Sequence, residues 1–144
     1  MSRNVLPRLS TLQKRALLHS PEAPREKLLQ YAEQYLSEGY LYEAMEFFEK
    51  ARELRGLERV RDAAVAEGDA TLLAWMARNG LADVTPAHWR SAGQNALKAG
   101  KILYADAAFE RAGDAQHKTE PRETSKITGQ APESESTEEV RQPR

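Results

Sequence analysis

Three glycines divide the chain into paired segments that fit only a short list of folds. They stand in the tetrapeptides Ser37-Glu38-Gly39-Tyr40, Ala66-Glu67-Gly68-Asp69 and Lys98-Ala99-Gly100-Lys101, and they lie 29 and then 32 residues apart. Glycine adopts the left-handed backbone conformation at little cost, so it commonly ends a helix. Apolar residues with helical spacing flank each glycine, so the sequence predicts three helix–glycine–helix units.

The spacing of apolar residues predicts helices throughout these units. Leu28, Tyr31, Ala32 and Tyr35 recur at positions i, i+3, i+4 and i+7, which places them on one stripe of a helix. No stretch alternates between apolar and polar residues over five or more positions, and β-branched residues are scarce, so strands are not expected. The predicted core helices lie near 22–38, 40–55, 57–67, 69–79, 86–99 and 101–113.

Two of these helices have clear start signals. Thr85 places a hydroxyl just before Pro86, whose missing N–H costs nothing in the first helical turn. Asp69 can cap the helix that follows Gly68 in the same way. His88 and Asp83 could approach each other across the Thr85 cap, and structural capping is favoured there over acid–base chemistry because no nucleophile accompanies them.

Composition divides the chain into three parts. Every aromatic residue falls between Tyr31 and Phe109, so residues 22–114 are the predicted folded domain. Residues 1–21 carry four basic side chains and no acid, a net charge of +4, and form a basic arm or a short helix near Leu9–Leu18. Residues 115–144 are rich in Glu, Ser, Thr and Pro and can bury little apolar surface, so a disordered polar tail is predicted.

Several function classes are disfavoured by what the sequence lacks. It has no cysteine, no glycine-rich phosphate loop and only three scattered histidines, so no metal or cofactor site and no enzymatic activity are expected. The net charge of -1 gives no reason to expect nucleic-acid binding, and no apolar run reaches the roughly 20 residues of a membrane span. A cytoplasmic location is expected. The alternative is that the acid-free arm is an organelle transit peptide.

The first and third units resemble a tetratricopeptide repeat, a helical hairpin that sets small residues against aromatic ones. The resemblance rests on Leu28, Tyr31, Ala32, Tyr35, Gly39, Ala44, Phe48 and Ala51 in the first unit, and on Trp89, Ala92, Gly93, Gly100, Ala105, Phe109 and Ala112 in the third. The middle unit keeps Ala64 and Gly68 but departs at Leu73, Ala77 and Gly80, and both spacings are shorter than the family's roughly 34 residues. Similar hairpins also occur in other α-solenoids. The resemblance implies an all-α fold of three stacked antiparallel helical hairpins, a right-handed α-solenoid.

In this family the first helix of each hairpin lines a groove that holds a partner's peptide. The resemblance therefore implies the following outward-facing candidates for partner binding: Glu26, Leu29, Glu33, Leu36, Arg55, Glu58, Asp62, Arg90, Gln94 and Lys98. One well-known branch of the family clamps a C-terminal carboxylate with Lys and Asn side chains. Glu33 stands where such a clamp needs cationic or amide donors, so a receptor for chaperone tails is disfavoured.

Two points stay open at the level of sequence. The segment from Leu72 to Ala77 is apolar on all sides, which favours burial between the outer hairpins; the alternative is that Trp75 is exposed and anchors a partner. The last hairpin has no further apolar helix to cover it. Either the helix of the arm folds back, or an edge around Ile102, Tyr104 and Phe109 is left for self-association or a partner.

These features together favour a non-catalytic protein-interaction module, an adaptor or scaffold that binds a protein partner through a groove or through the uncovered edge. Two alternatives remain. One is a small chaperone or escort for a secreted or assembling subunit. The other is an accessory subunit of an enzyme complex, tethered through its tails.

Overall fold

The protein is all-helical in the part of the chain that the structure, a computed structural model, describes, which is residues 5–113. The seven helices in this range are α1 (Thr11–His19), α2 (Arg25–Ser37), α3 (Leu41–Ala51), α4 (Leu54–Glu67), α5 (Ala70–Arg78), α6 (Pro86–Lys98) and α7 (Ile102–Ala112). The predicted all-α class is therefore confirmed, and α1 is the short helix predicted for the arm. The predicted tail at 115–144 lies outside the described residues.

The three predicted glycine breaks share one backbone geometry. Gly39, Gly68 and Gly100 have φ angles of +87°, +69° and +77°, in the region that other residues rarely adopt. In each break the residue after the glycine donates its N–H to the carbonyl five positions earlier: Tyr40 to Tyr35 at 2.9 Å, Asp69 to Ala64 at 2.9 Å, and Lys101 to Ala96 at 2.8 Å. This bond satisfies a carbonyl at the helix end and turns the chain back, so each unit closes into a pair of helices.

The boundary between α3 and α4 differs from the prediction. The predicted helices near 40–55 and 57–67 meet around residue 56, whereas α3 ends at Ala51 and α4 begins at Leu54. Between them Arg52 takes a left-handed conformation with φ of +57°. Gly56 lies inside α4, at a point where the Phe48 ring packs so closely that a Cβ atom would overlap it. The glycine lets two helices approach closely and does not end one of them.

The predicted helix starts at Asp69 and Thr85 are confirmed. The Asp69 carboxylate accepts a hydrogen bond from the Leu72 N–H at 3.0 Å. The Thr85 hydroxyl accepts from the His88 N–H at 3.2 Å, and the Thr85 N–H donates to Nδ1 of His88 at 3.0 Å. His88 therefore serves as the reciprocal member of a capping box, which is the structural role expected for it.

Helices that are close in sequence pack against each other. The pairs α2–α3, α4–α5 and α6–α7 form three hairpins, while α3–α4, α4–α6 and α5–α7 join them and α1 lies against α3.

Most residues that carry the family resemblance are buried: Leu28, Tyr31, Ala32, Ala44, Phe48, Ala51, Gly68, Trp89, Ala92, Gly93, Ala105 and Phe109. Tyr35 and Ala112 are half-buried, and Gly39 and Gly100 lie at exposed turns. Tyr35 stacks on Phe47 with ring centroids 5.6 Å apart.

Candidate functional site

Three partly exposed aromatic side chains from three different helices surround one open groove. Tyr42 of α3, Trp75 of α5 and Tyr104 of α7 are 46%, 42% and 39% exposed. They line a cavity of about 690 Å³, which we call the aromatic groove. Its other lining residues are Gly39, Tyr40, Leu41, Glu43, Glu67, Asp69, Ala70, Thr71, Leu72, Ala74, Arg78, Ala107 and Arg111.

The position of Trp75 follows from the packing of α5. Leu73 and Met76 are fully buried, and Trp75 is two residues from Leu73, a rotation of about 200° around the helix. The expectation that α5 is buried on all sides is therefore wrong for Trp75. The rest of the protein covers Ala70, Leu72, Leu73 and Met76 of α5 but leaves Trp75 partly exposed. Ala70 and Ala74 contribute small side chains to the groove, which leaves room for a ligand beside the indole.

The charged side chains that line the aromatic groove are of both signs: Glu43, Glu67 and Asp69 against Arg78 and Arg111. Glu43 lies 3.9 Å from the Lys14 ammonium, and the Asp69 carboxylate caps α5. The Arg111 guanidinium lies 5.1 Å from the centre of the Trp89 ring, and among residues 5–113 no ion pair involves Arg78. The groove therefore combines aromatic rings with guanidinium donors and carboxylates.

The perturbed titratable groups lie outside the groove. Burial raises the pKa of Tyr35 above its ordinary value of 10.0, with a smaller opposing effect from Lys14. The hydrogen bonds to Glu33 raise the pKa of Arg59. Across residues 5–113, no three histidine or carboxylate side chains come together in a way that could hold a metal ion.

The predicted partner-binding residues of the first helices lie elsewhere. Glu26, Glu33, Arg55, Glu58, Asp62, Arg90, Gln94 and Lys98 are exposed along α2, α4 and α6, and Leu29 and Leu36 are half-buried. Glu33 accepts two hydrogen bonds from Arg59, at 2.6 and 2.9 Å, which links α2 to α4. Glu26, Leu29 and Glu33 line a second cavity of about 730 Å³. Of the predicted partner-binding residues, only Trp75 belongs to the aromatic groove.

Sequence reasoning missed Tyr42 as a groove residue and placed Tyr104 only at an edge. Both side chains lie off the apolar stripes of their helices, and an aromatic residue off the stripe is a usable signal of exposure. The signal does not say that the two side chains meet Trp75, because that depends on how α3, α5 and α7 come together.

The end of the last hairpin is partly exposed. Leu97, Ile102 and Leu103 are 41%, 41% and 80% exposed, whereas Phe109, expected at this edge, is buried beside Gly93. The arm helix α1 contacts α3 of the first hairpin and therefore does not cover this edge. Among the described residues, the edge around Ile102 stays uncovered.

Comparison with known proteins finds no match among family models, curated proteins or solved structures. The function proposed below therefore rests on the residues of this chain. Within residues 5–113, no helix has both the length and the hydropathy that crossing a bilayer requires.

Proposed function

We propose that this protein is a non-catalytic interaction module, an adaptor or scaffold of the tetratricopeptide-like kind, which binds a segment of a partner protein in the aromatic groove. The observation that carries the proposal is the convergence of Tyr42, Trp75 and Tyr104 from three helices on one open cavity. Clustered exposed apolar side chains commonly mark binding sites. Trp, Tyr and Arg are also the residue types that contribute most to protein interfaces.

Two buried pairs of a small residue and a ring at the same spacing support the tetratricopeptide-like part of the proposal. Gly93 lies against Phe109 in the third hairpin, and Phe109 follows it by 16 residues. In the first hairpin Ala32 and Phe48 have the same spacing, and both are fully buried. Between the second and third hairpins the contacts α4–α6 and α5–α7 connect like helices, as stacking of repeats requires, whereas the first and second hairpins meet through α3 and α4.

The side chains of the groove favour a partner segment that is both apolar and acidic. A large apolar or aromatic side chain would lie among the three rings, where its burial and ring contacts contribute most of the affinity. A carboxylate next to it would pair with Arg78 or Arg111, since the guanidinium group matches a carboxylate in geometry and charge. Three acids, Glu43, Glu67 and Asp69, also line the groove. Glu43 and Asp69 oppose such a segment less than Glu67 does, because each already has a partner within the protein.

Selection from a random peptide library tests this function. The full chain should select peptides enriched in aromatic residues with an adjacent Asp or Glu. Trp75→Ala should weaken binding of the selected peptides by about 30-fold, the effect of losing roughly 2 kcal/mol at an interface hot spot. Leu54→Ala is the matched control, because Leu54 is 70% exposed and does not line the aromatic groove.

Thermal unfolding of both variants must stay close to that of the wild type for the comparison to be valid. Equal loss of binding in Trp75→Ala and Leu54→Ala would refute the groove as the site. Selected peptides without any preference for aromatic and acidic residues would refute the proposed chemistry of the partner.

A further inference from the structure

The segment before α1 is bound across α2 through its backbone. Residues 5–10 form no helix, and the carboxamide of Gln34 makes two hydrogen bonds to one residue of this segment. The Leu6 N–H donates to Oε1 of Gln34 at 2.8 Å, and Nε2 of Gln34 donates to the Leu6 carbonyl at 3.1 Å. This pair of bonds recognises the backbone of an extended chain and does not depend on which side chain residue 6 carries.

Neighbouring contacts add preferences for particular side chains. The Tyr31 hydroxyl donates to the Pro7 carbonyl at 3.3 Å, and proline leaves no N–H that would need a partner here. The Arg8 guanidinium lies 5.9 Å from the centre of the Tyr40 ring. Leu6 and Leu9 are half-buried against the hydrophobic core. The bound pattern is therefore an apolar residue, proline, a cation and a second apolar residue.

The same face of α2 extends beyond the contacts of Gln34. The cavity of about 730 Å³ is lined by Leu29 and by the carboxylates of Glu26, Glu33 and Glu38, next to Leu6. An extended peptide in this position would find an apolar surface bordered by negative charge. This surface suits a segment that carries basic residues.

The bound segment is held weakly enough to be exchanged. No residue between Val5 and His19 is fully buried, and the four leucines that pack against the hydrophobic core stay partly exposed: Leu6, Leu9, Leu17 and Leu18. Segments with few buried apolar contacts open at a small fraction of the free energy of global unfolding. Residues 5–10 can therefore leave α2 while the three hairpins stay folded.

We propose that the face of α2 around Tyr31 and Gln34 is a binding site for an extended partner segment of apolar–Pro–basic–apolar sequence, which residues 5–10 of the chain occupy until it is displaced. Residues 5–10 compete as an intramolecular ligand, because they stay linked to α2 through α1. A partner segment therefore binds the intact protein weakly, and it binds strongly once the arm has been released.

A fluorescent peptide with the sequence Asn-Val-Leu-Pro-Arg-Leu-Ser-Thr, that of residues 4–11, tests the proposal on the full-length chain. Leu6→Asp places a carboxylate next to the acidic face of α2 and should release the arm. Peptide affinity, measured by fluorescence anisotropy, should then rise at least tenfold over the wild type. Adding Gln34→Ala to Leu6→Asp should abolish that gain.

Matched controls separate this site from the aromatic groove. The same peptide with Asp in place of its first Leu should not bind, and Trp75→Ala should leave peptide binding unchanged. Arg8→Ala, which removes only the exposed contact to Tyr40, is a second release variant for use if Leu6→Asp lowers the melting temperature. Equal peptide affinity in the wild type and both release variants, or full binding without Gln34, would overturn the proposal.

Discussion

Helix propensity and packing predict opposite effects on stability when Gly93 is replaced by alanine. Gly93 lies inside α6, where alanine is normally more favourable than glycine by about 1 kcal/mol. The new Cβ atom, however, would lie 2.7, 2.8 and 2.9 Å from three ring carbons of Phe109. Carbon atoms in favourable contact are about 3.5–4.0 Å apart, so the ring or the helix must move.

The Phe109 ring has little room to move. It is 1% exposed and packs with Ala96 and Ala105, whose side chains offer no flexible end that could yield. Overpacking in such surroundings costs about 1–3 kcal/mol, and three contacts below 3.0 Å place this site in the upper half of that range. After the gain in helix propensity is subtracted, Gly93→Ala should lower the free energy of unfolding by about 1–2 kcal/mol.

Urea denaturation followed by circular dichroism measures this change. The decisive comparison is the same substitution in a Phe109→Ala background, where no ring meets the new methyl group. There Gly93→Ala should stabilise the protein by about 1 kcal/mol, because only the helix-propensity gain remains. If Gly93→Ala raises the stability of the otherwise wild-type protein, the close contact between α6 and α7 is refuted.

Three further variants test other contacts. Thr85→Ala should lower the free energy of unfolding by about 1 kcal/mol, and Thr85→Ser should not, because either hydroxyl can accept from the His88 N–H. Glu33→Gln should change stability by less than about 1 kcal/mol, since both side chains of its ion pair with Arg59 are more than half exposed; a larger loss in urea denaturation would contradict this. Burial raises the pKa of Tyr35, so the folded state holds the phenol proton more tightly than the unfolded state does. This stabilisation is complete below about pH 10 and is lost as the pH rises through the folded-state pKa. Tyr35→Phe should therefore lose less stability than the wild type when melting is followed at increasingly alkaline pH. An unchanged pH profile of the melting temperature would contradict this.

Local features of the fold could be predicted from the sequence because local chemistry determines them. The breaks at Gly39 and Gly68 and the cap at Thr85 depend on residues only a few positions away. The boundary near residue 56 was misplaced, since a glycine that ends a helix and one that admits a ring, as Gly56 does, look alike in sequence. Only the packing of Phe48 distinguishes them.

The two candidate binding surfaces could be predicted only in part, because contacts that are distant in sequence create them. Trp75 was recognised as a possible anchor, but its exposure depends on which neighbours cover α5. The bonds from Leu6 to Gln34 span 28 residues and join a segment without helical periodicity to the side of α2. Nothing in the apolar pattern near Leu6 indicates that contact.

The packing order of the helices has a consequence for how quickly the chain folds. Helices that pack extensively are never more than two elements apart, whether within a hairpin or between hairpins, as in α4–α6 and α5–α7. Loops that close over such short distances cost little entropy, and chains of this low contact order fold in about microseconds to milliseconds. The protein should therefore recover its native state soon after dilution from urea, without a long-lived intermediate.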